Sequence, residues 1–376
     1  MKASIQGLGV VGAFGCGVAA LKESLLQGPH SPGELIFTAE GEERRMAAYR
    51  ADPAPLERFV SKRETRRVDH FSKLALLGAC LALEDAGALE GPRDDLGLII
   101  ASGYGATRTT FGFLDSVIAD GDPCASPTLF SNSVHNAAAA HVAIQLRITG
   151  PTLTVSQFEM SVASALGSAL AWLAEGRVRR VLFGAVDEIC PVLGYCHRRF
   201  FGASPGPIAP FDLERHSAVP GEGAAFLLLD SGGSSRYGLI AGVELRRIRA
   251  GQQLPGHTAF ILNVDGHPPC SGHYSRLLPT GAGVAAFTPH YGSFPTGQAL
   301  DLAVAALALR DGRLPPGICG EALPNGWQPA TLDGGGVTCV TCDGDGYFGA
   351  IRLTASSENV KPDATGIKGM ENGCQK

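Results

Sequence analysis

A chain of 376 residues, 45% hydrophobic and 18% charged, carries enough apolar material for a large core, so disorder is excluded for its body. The net charge is −5, and Lys and Arg are scattered apart from SKRETRRVDH at 61–70, which leaves no basic footprint for nucleic acid. No stretch is apolar enough to span a bilayer, and MKASIQGLGVVGAFG lacks a secretory signal pattern, so the expectation is a cytoplasmic protein, not bound to membrane, with its ten cysteines reduced.

In chain order, residues 3–11 form an apolar, β-branched run that predicts a buried strand. Its GLGVVG (Gly7, Gly9, Gly12) matches G-x-G-x-x-G, the pattern of a dinucleotide turn. Residues 21–28 read as helix and loop instead of a second strand ending in an acid, so tight strand-to-helix packing is the better account of the glycines. The basic run at 61–70 reads as the solvated entrance to a helix, the other reading being an anion or carrier-protein patch. That helix, FSKLALLGACLALEDAG (71–87), has apolar residues at helical spacing and ends at Gly87.

Further strands are predicted at 96–101, 153–155, 178–185 and 224–229, with small-residue helices at 136–146 and 161–176. SGGSSRY (231–237) reads as a flexible link, and divides the chain into halves 1–232 and 233–355. The second half offers strands near 238–247 and 259–264, a helix at 297–311 and a strand pair at 336–342 and 347–354. The polar tail 356–376 is expected to be disordered. The alternation predicts a layered α/β architecture.

LTVSQFEMSVASAL (153–166) runs from strand directly into helix, a junction that aims one side chain at free backbone N–H groups. That side chain is Glu159, which cannot act as a thiolate does in acyl transfer. In a closed pocket it should be paired with helix N-terminal N–H groups or a buried donor.

The blocks IQGLGVVGAFGCGVAALKESLLQG (5–28), DHFSKLALLGACLALEDAG (69–87), FSNSVHNAAAAHVAIQLRITGPTLTV (130–155), APFDLERHSAVPGEGAAFLLLD (209–230) and GQALDLAVAALALRDGRLPP (297–316) resemble, in order, those of the β-ketoacyl synthase family. The resemblance implies a thiolase-like fold, two similar βαβαβ halves in a five-layer αβαβα arrangement, and dimers. Active members carry a Cys at the elbow and two His in later loops. Counting from Gly150-Pro151, the Cys position falls on Glu159. VDGHPP puts Asp265 at the first His, and FTPHYGSFPTGQ puts Gly292 at the second with Thr288 near the family's Lys. His267 and His290 lie within a residue or two of those registers, and Cys342 or Gly344 stands at the gating Phe.

The resemblance therefore implies a subunit without catalytic groups, of the chain-length-factor type. It would be the heterodimeric partner of a ketosynthase in type II polyketide or fatty-acid-like biosynthesis, meeting acyl carrier protein through that complex. FSNSVHNAAAAH and YGSFPTGQAL look most like partners from aryl-polyene pathways. Thr110, Phe111, Phe113 and Phe130 are the implied chain-length residues, and Asn136, Ala138 and Ala139, with the strand 153–155, the implied interface. The rivals are a decarboxylase of malonyl carrier protein, a silent homodimer, and acid–base chemistry by Glu159 with Asp265. No cofactor is expected. Cys339 and Cys342 with His267, Cys270 and His273 have zinc-ligand spacing, but strand alternation favours buried thiols, so no metal is expected either.

Overall fold

Apolar runs buried on both faces suit the interior of a large sheet, and here they assemble one 12-stranded sheet. The computed structural model describes residues 2–202, 206–232, 234–256, 259–317, 323–332 and 335–356; the tail beyond Ser356 lies outside the described residues. The main strands of the first half are β1 (Ala3–Gly12), β2 (Leu96–Ser102), β3 (Thr152–Ser156), β4 (Arg180–Asp187) and β5 (Gly223–Asp230). Those of the second are β6 (Leu239–Arg247), β7 (Ala259–Leu262), β8 (Gly283–Ala285), β9 (Gly336–Cys342) and β10 (Tyr347–Thr354).

From β1 outward the first ladder runs β1-β5-β4-β2-β3, and from β6 outward the second runs β6-β10-β9-β7-β8. Each is antiparallel at its first two pairings and parallel at its last two. A short antiparallel contact of Ala3 with Ile240 and Ser4 with Leu239 joins them. The same ladder built twice is the thiolase-like arrangement.

Period-two alternation distributes the side chains among layers. In β2, Leu98 and Ile100 face the outer helices His70–Asp85 and Ala137–Leu146, while Ile99 and Ala101 face the central helices Ser161–Ala174 and Gln298–Asp311. In β9, Val340 and Cys342 face an outer layer that includes helix Pro268–Leu277, while Val337 and Cys339 face the centre. The order is helix, half-sheet, helices, half-sheet, helix. Helix Gln298–Asp311 is buried all round, so its polar groups need internal partners. Gln298 donates to Gly349 O at 2.8 Å, and Asp301 accepts from Asn263 Nδ2 at 2.7 Å and from the Tyr291 hydroxyl.

Gly7 and Gly9 lie beneath helix His70–Asp85, where a Cβ would fall 2.3 Å from Ala82 O and 2.0 Å from Gly78 O. Close helix approach therefore accounts for these glycines. The basic run before this helix is a capped entrance: Ser61 and Glu64 form a capping box, and Asp69 accepts from Ser72 N at 2.9 Å. The later part of the 231–237 link is tied down, contrary to the expectation of a flexible segment. Ser235 Oγ donates to Ile5 O at 3.1 Å, and Tyr237 is buried with the Arg310 guanidinium 4.8 Å from its ring centre. Among the described residues, no helix is long and apolar enough to cross a membrane.

Candidate functional site

β3 ends at Ser156, and the chain turns through Gln157 and a 3-10 turn, Phe158–Met160, into helix Ser161–Ala174. The corner is sharp enough to hold Phe158 at φ +47, a left-handed conformation rare for an aromatic residue. Ser161 fixes it by donating to Ser102 O at 3.0 Å and accepting from Gln157 N at 2.7 Å. The Phe158 ring stays exposed, edge-on to Tyr104 at 5.8 Å, while Glu159 lines a cavity of about 510 Å³.

Behind the corner Asp187, fully buried at the end of β4, accepts from Ser102 Oγ, Gly103 N, Tyr104 N and Thr296 Oγ1 at 2.8–3.1 Å. Burial pushes its carboxyl up, and these donors oppose that shift. One acid thereby ties the loop after β2 to the loop before helix Gln298–Asp311.

The structure brings Glu159 and Asp265 to the same cavity, together with Glu188, His197, His267, Cys270 and Ser293. Asp265 accepts from Ser293 Oγ at 2.5 Å and from His267 N at 3.3 Å. Gly292 is not a lining residue. Its φ is +88, and a Cβ there would lie 2.8 Å from both Gly221 Cα and Tyr49 Cδ2, so Ser293 supplies this loop's polar side chain to the site, beside Phe294 and Pro295. Thr288 donates to Val264 O at 2.6 Å and clips the two loops together. His290 pairs with Ser24 Oγ at 2.9 Å, held near a pKa of about 4 by burial, and does not line the cavity; His267 does.

The cavity's electrostatics follow from its closure. Burial, then the charges of Asp265, Asp343 and Asp187, lift Glu159 to about 6, against its own backbone N–H. No ion pair reaches it among the described residues; of the two partners expected from the sequence, backbone N–H groups or a buried donor, it is a backbone N–H that serves. Burial also lifts Glu188 to about 7, opposed by Arg108 N donating to Oε1 at 2.9 Å. His197 is pushed down to about 3 by burial and by His267 and His216, whose rings lie 5.7 Å from its own. The Cys270 thiol is driven far up by burial and then by Asp265 and Glu159, so it is no nucleophile. At neutral pH the cavity therefore combines an ionised Glu159 and a partly protonated Glu188 with a neutral His197 and a protonated Cys270 thiol.

Alternation along β9 sends Cys339 to the central layer and Cys342 to the outer one, so the C-x-x-C pair cannot close on one ion. Among the described residues, no group of three or more His, Cys, Asp or Glu could hold a metal.

The implied chain-length residues lie apart from this cavity, on helix Thr107–Asp120 and the short helix Pro127–Ser133. Phe111 and Phe130 are 41% and 58% exposed; Phe113 meets Phe130 at 5.3 Å. Thr110 Oγ1 is bound to Ala106 O and Ser133 O. Of the implied interface residues, Asn136 is exposed, but Ala138 and Ala139 are buried in the core beneath helix His70–Asp85. Small residues there serve packing within the chain. Sequence reasoning missed Asp187, Glu188, His197, His216 and Ser293; the one signal was the pair of acids closing the apolar strand β4.

A family model described as "Beta-ketoacyl synthase, N-terminal domain" matches residues 5–232. Among curated proteins, "Putative polyketide beta-ketoacyl synthase 1" of Streptomyces virginiae is 30% identical over 269 residues, 65% of this chain and 63% of that protein. A protein of the same name from Streptomyces cyaneus is 31% identical over 245 residues, 61% of this chain and 58% of that one. The matched region thus spans less than two thirds of the length of these relatives. Among solved structures, "The ishigamide ketosynthase/chain length factor" matches with a TM-score of 0.76 at 19% identity, covering 94% of this chain and 99% of that one. "Ketosynthase (ApeO) in Complex with its Chain Length Factor (ApeC)" from Xenorhabdus doucetiae matches with a TM-score of 0.74 at 15% identity, covering 94% and 98%. Identities this low speak for the fold alone. The family model spans more than half of the sequence, and on that match the chain belongs to the β-ketoacyl synthase family.

Proposed function

We propose that this chain is a chain-length-factor type subunit, the non-condensing partner of a ketosynthase in type II polyketide or related acyl-chain assembly. The observation that carries the reading is the content of the elbow cavity. Condensation needs a thiolate to hold the acyl chain and neutral donors to stabilise a carbanion. Here Glu159 and Asp265 occupy one cavity, the nearby Cys270 thiol is protonated, and Ser293 is engaged with Asp265. The same carboxylates would repel the enolate formed by decarboxylation, so no observation favours a malonyl decarboxylase.

A role in assembly draws support from the exposed apolar side chains Phe111, Leu114 and Ile118 along helix Thr107–Asp120 and Phe130 on the next helix, and from β3, which among the described residues pairs with β2 alone. Two of the structures matched in fold are titled as ketosynthases with chain length factors. In this reading acyl carrier protein meets the complex, and the chain's contribution is shape at the partner's tunnel.

The test is co-expression with an intact ketosynthase from the same gene neighbourhood. Co-purification at equal stoichiometry is expected, with product formed by the complex and no carbon dioxide released from malonyl carrier protein by the isolated chain. Release of carbon dioxide by the isolated chain, or a stable homodimer that ignores the ketosynthase, would overturn the reading.

A further inference from the structure

We infer that His197, His216 and His267 form an acid-sensitive clasp on the elbow cavity, holding two of its walls together while the rings are neutral and letting them part when the rings take up protons. This goes beyond the chain-length-factor reading and holds whether or not the chain pairs with a ketosynthase. One wall is helix Pro191–Phe201, which supplies Leu193, Cys196, His197 and Phe201; the other is the start of helix Pro268–Leu277, with His267 and Cys270. His216 belongs to a segment tied to the second wall through Ser217 N, which donates to Gly266 O at 3.0 Å. The three imidazoles meet pairwise with ring centres 5.3–5.7 Å apart. Phe201 packs among them, 4.4 Å from His267 and stacked on His216 at 5.6 Å.

The geometry leaves an added proton without an acceptor. Five of the six ring nitrogens, both of His197, both of His216 and Nδ1 of His267, are buried and have no hydrogen-bond partner among the described residues. A neutral imidazole there forfeits hydrogen bonds, whereas an imidazolium brings a charge into an apolar contact beside two further rings. Burial and the two neighbouring rings push His197 down to about 3, and burial and His267 lower His216 against the pull of Asp265. Asp265 is itself engaged by Ser293 Oγ and His267 N. Other charged groups on the packed elements are paired or exposed: Glu188 with Arg108, Glu34 with Arg45, Asp212 with Arg215, and Arg198 and Arg199 at the surface. Glu159 and the thiols of Cys196 and Cys270 share the cavity. Parted rings take up protons at the ordinary value for His, and clasped rings resist. The clasp is therefore complete above about pH 6.5 and weakens as pH falls below it.

Labelling of the full-length protein with dithiodipyridine, a thiol reagent that works in acid as well as at neutral pH, tests this, with the sites read by peptide mass spectrometry. Cys342 lines the cavity yet is 2% exposed, the exposed Cys124 corrects for the reagent, and Cys80, 1% exposed in the core, reports global unfolding. Relative to Cys124, labelling of Cys342 should rise at least about 30-fold between pH 7.5 and pH 5 while Cys80 stays unlabelled. That is the factor for a single histidine of ordinary pKa when parted and about 3 when clasped. His197→Phe keeps a ring but takes up no proton, and should cut the rise about 10-fold; His216→Phe, which should also cut it, supplies the readout if His197→Phe fails to fold. Cys342 labelling that follows Cys124 at both pH values, a rise shared equally by Cys80, or a rise undiminished in every variant that folds would overturn the inference.

Discussion

Glu188 follows the last residue of β4 and is driven by burial to a pKa of about 7, from 4.5; the Arg108 backbone N–H, then His70 and the Arg108 guanidinium, oppose the shift, and Asp69 adds to it. An acid whose folded pKa is raised holds its proton more tightly folded than unfolded. Its contribution to stability is therefore full below 4.5 and declines as pH rises towards 7, by about 3 kcal/mol in all at about 1.4 kcal/mol per unit. Glu188→Gln has no charge to desolvate. Urea unfolding should find the variant more stable than the parent at pH 8, by up to about 3 kcal/mol, and no such gain at pH 4. An equal difference at both pH values would show that the charge is not the cause. Glu159 invites a chemical test: Glu159→Cys alone should take up no acyl group from an acyl carrier protein. The new thiol would sit in the field of Asp265, Asp343 and Asp187, which disfavours a thiolate. Mass spectrometry of the intact protein reads this, and an acyl adduct would show that the cavity can still activate a nucleophile.

Helix Ala137–Leu146 packs through Ala138, Ala139 and Val142 beneath helix His70–Asp85, while Ile144 is 71% exposed. Ala138→Trp should overpack that contact and destabilise folding by about 1–3 kcal/mol or more, whereas Ile144→Ala should leave the unfolding midpoint almost unchanged. Thermal melts of the isolated chain distinguish the two before any partner is added. On helix Thr107–Asp120, Phe111→Ala should have little effect on stability, and Phe113→Ala should lose about 1 kcal/mol with its ring pair to Phe130. If these rings end the partner's tunnel, both variants should lengthen the product of a reconstituted complex, read by mass spectrometry; an unaltered product would place the ruler elsewhere. Elements of this kind divide what the sequence discloses from what it does not. β2 and β4 are legible because both faces are buried, which leaves continuous apolar runs. The hairpin Gly33–Ala39 and Glu42–Ala48 is not, because EERRMAA is charged along most of its length and the hairpin buries mainly Leu35 and Phe37, near Gly194 of helix Pro191–Phe201. Glu159 and Asp265 are legible from local motifs. His267 meets His197 and His216 only because the fold returns a later segment of the chain to them, and the choice of Ser293 over Gly292 depends on one backbone dihedral.

At the scale of the whole molecule, the two ladders match strand for strand but end differently. Beyond β8 the second ladder is extended by Gln328–Pro329, whose proline blunts that edge, whereas among the described residues no further strand pairs with β3 at the end of the first ladder. The parallel register sets Thr152 against Leu98 and Thr154 against Ile100, and Leu98 N donates to Pro151 O at 2.9 Å. In such a ladder alternate residues of β3 turn their backbone groups towards β2, here Leu153 and Val155, so Thr152 and Thr154 present theirs to the open side. Thr154→Pro should therefore keep every hydrogen bond within the chain and remove a donor available to a partner strand. We expect the isolated variant to retain its circular dichroism and its melting temperature to within a few degrees, yet to lose co-purification with the ketosynthase. A variant that still co-purifies at equal stoichiometry would show that the partner docks without extending the sheet.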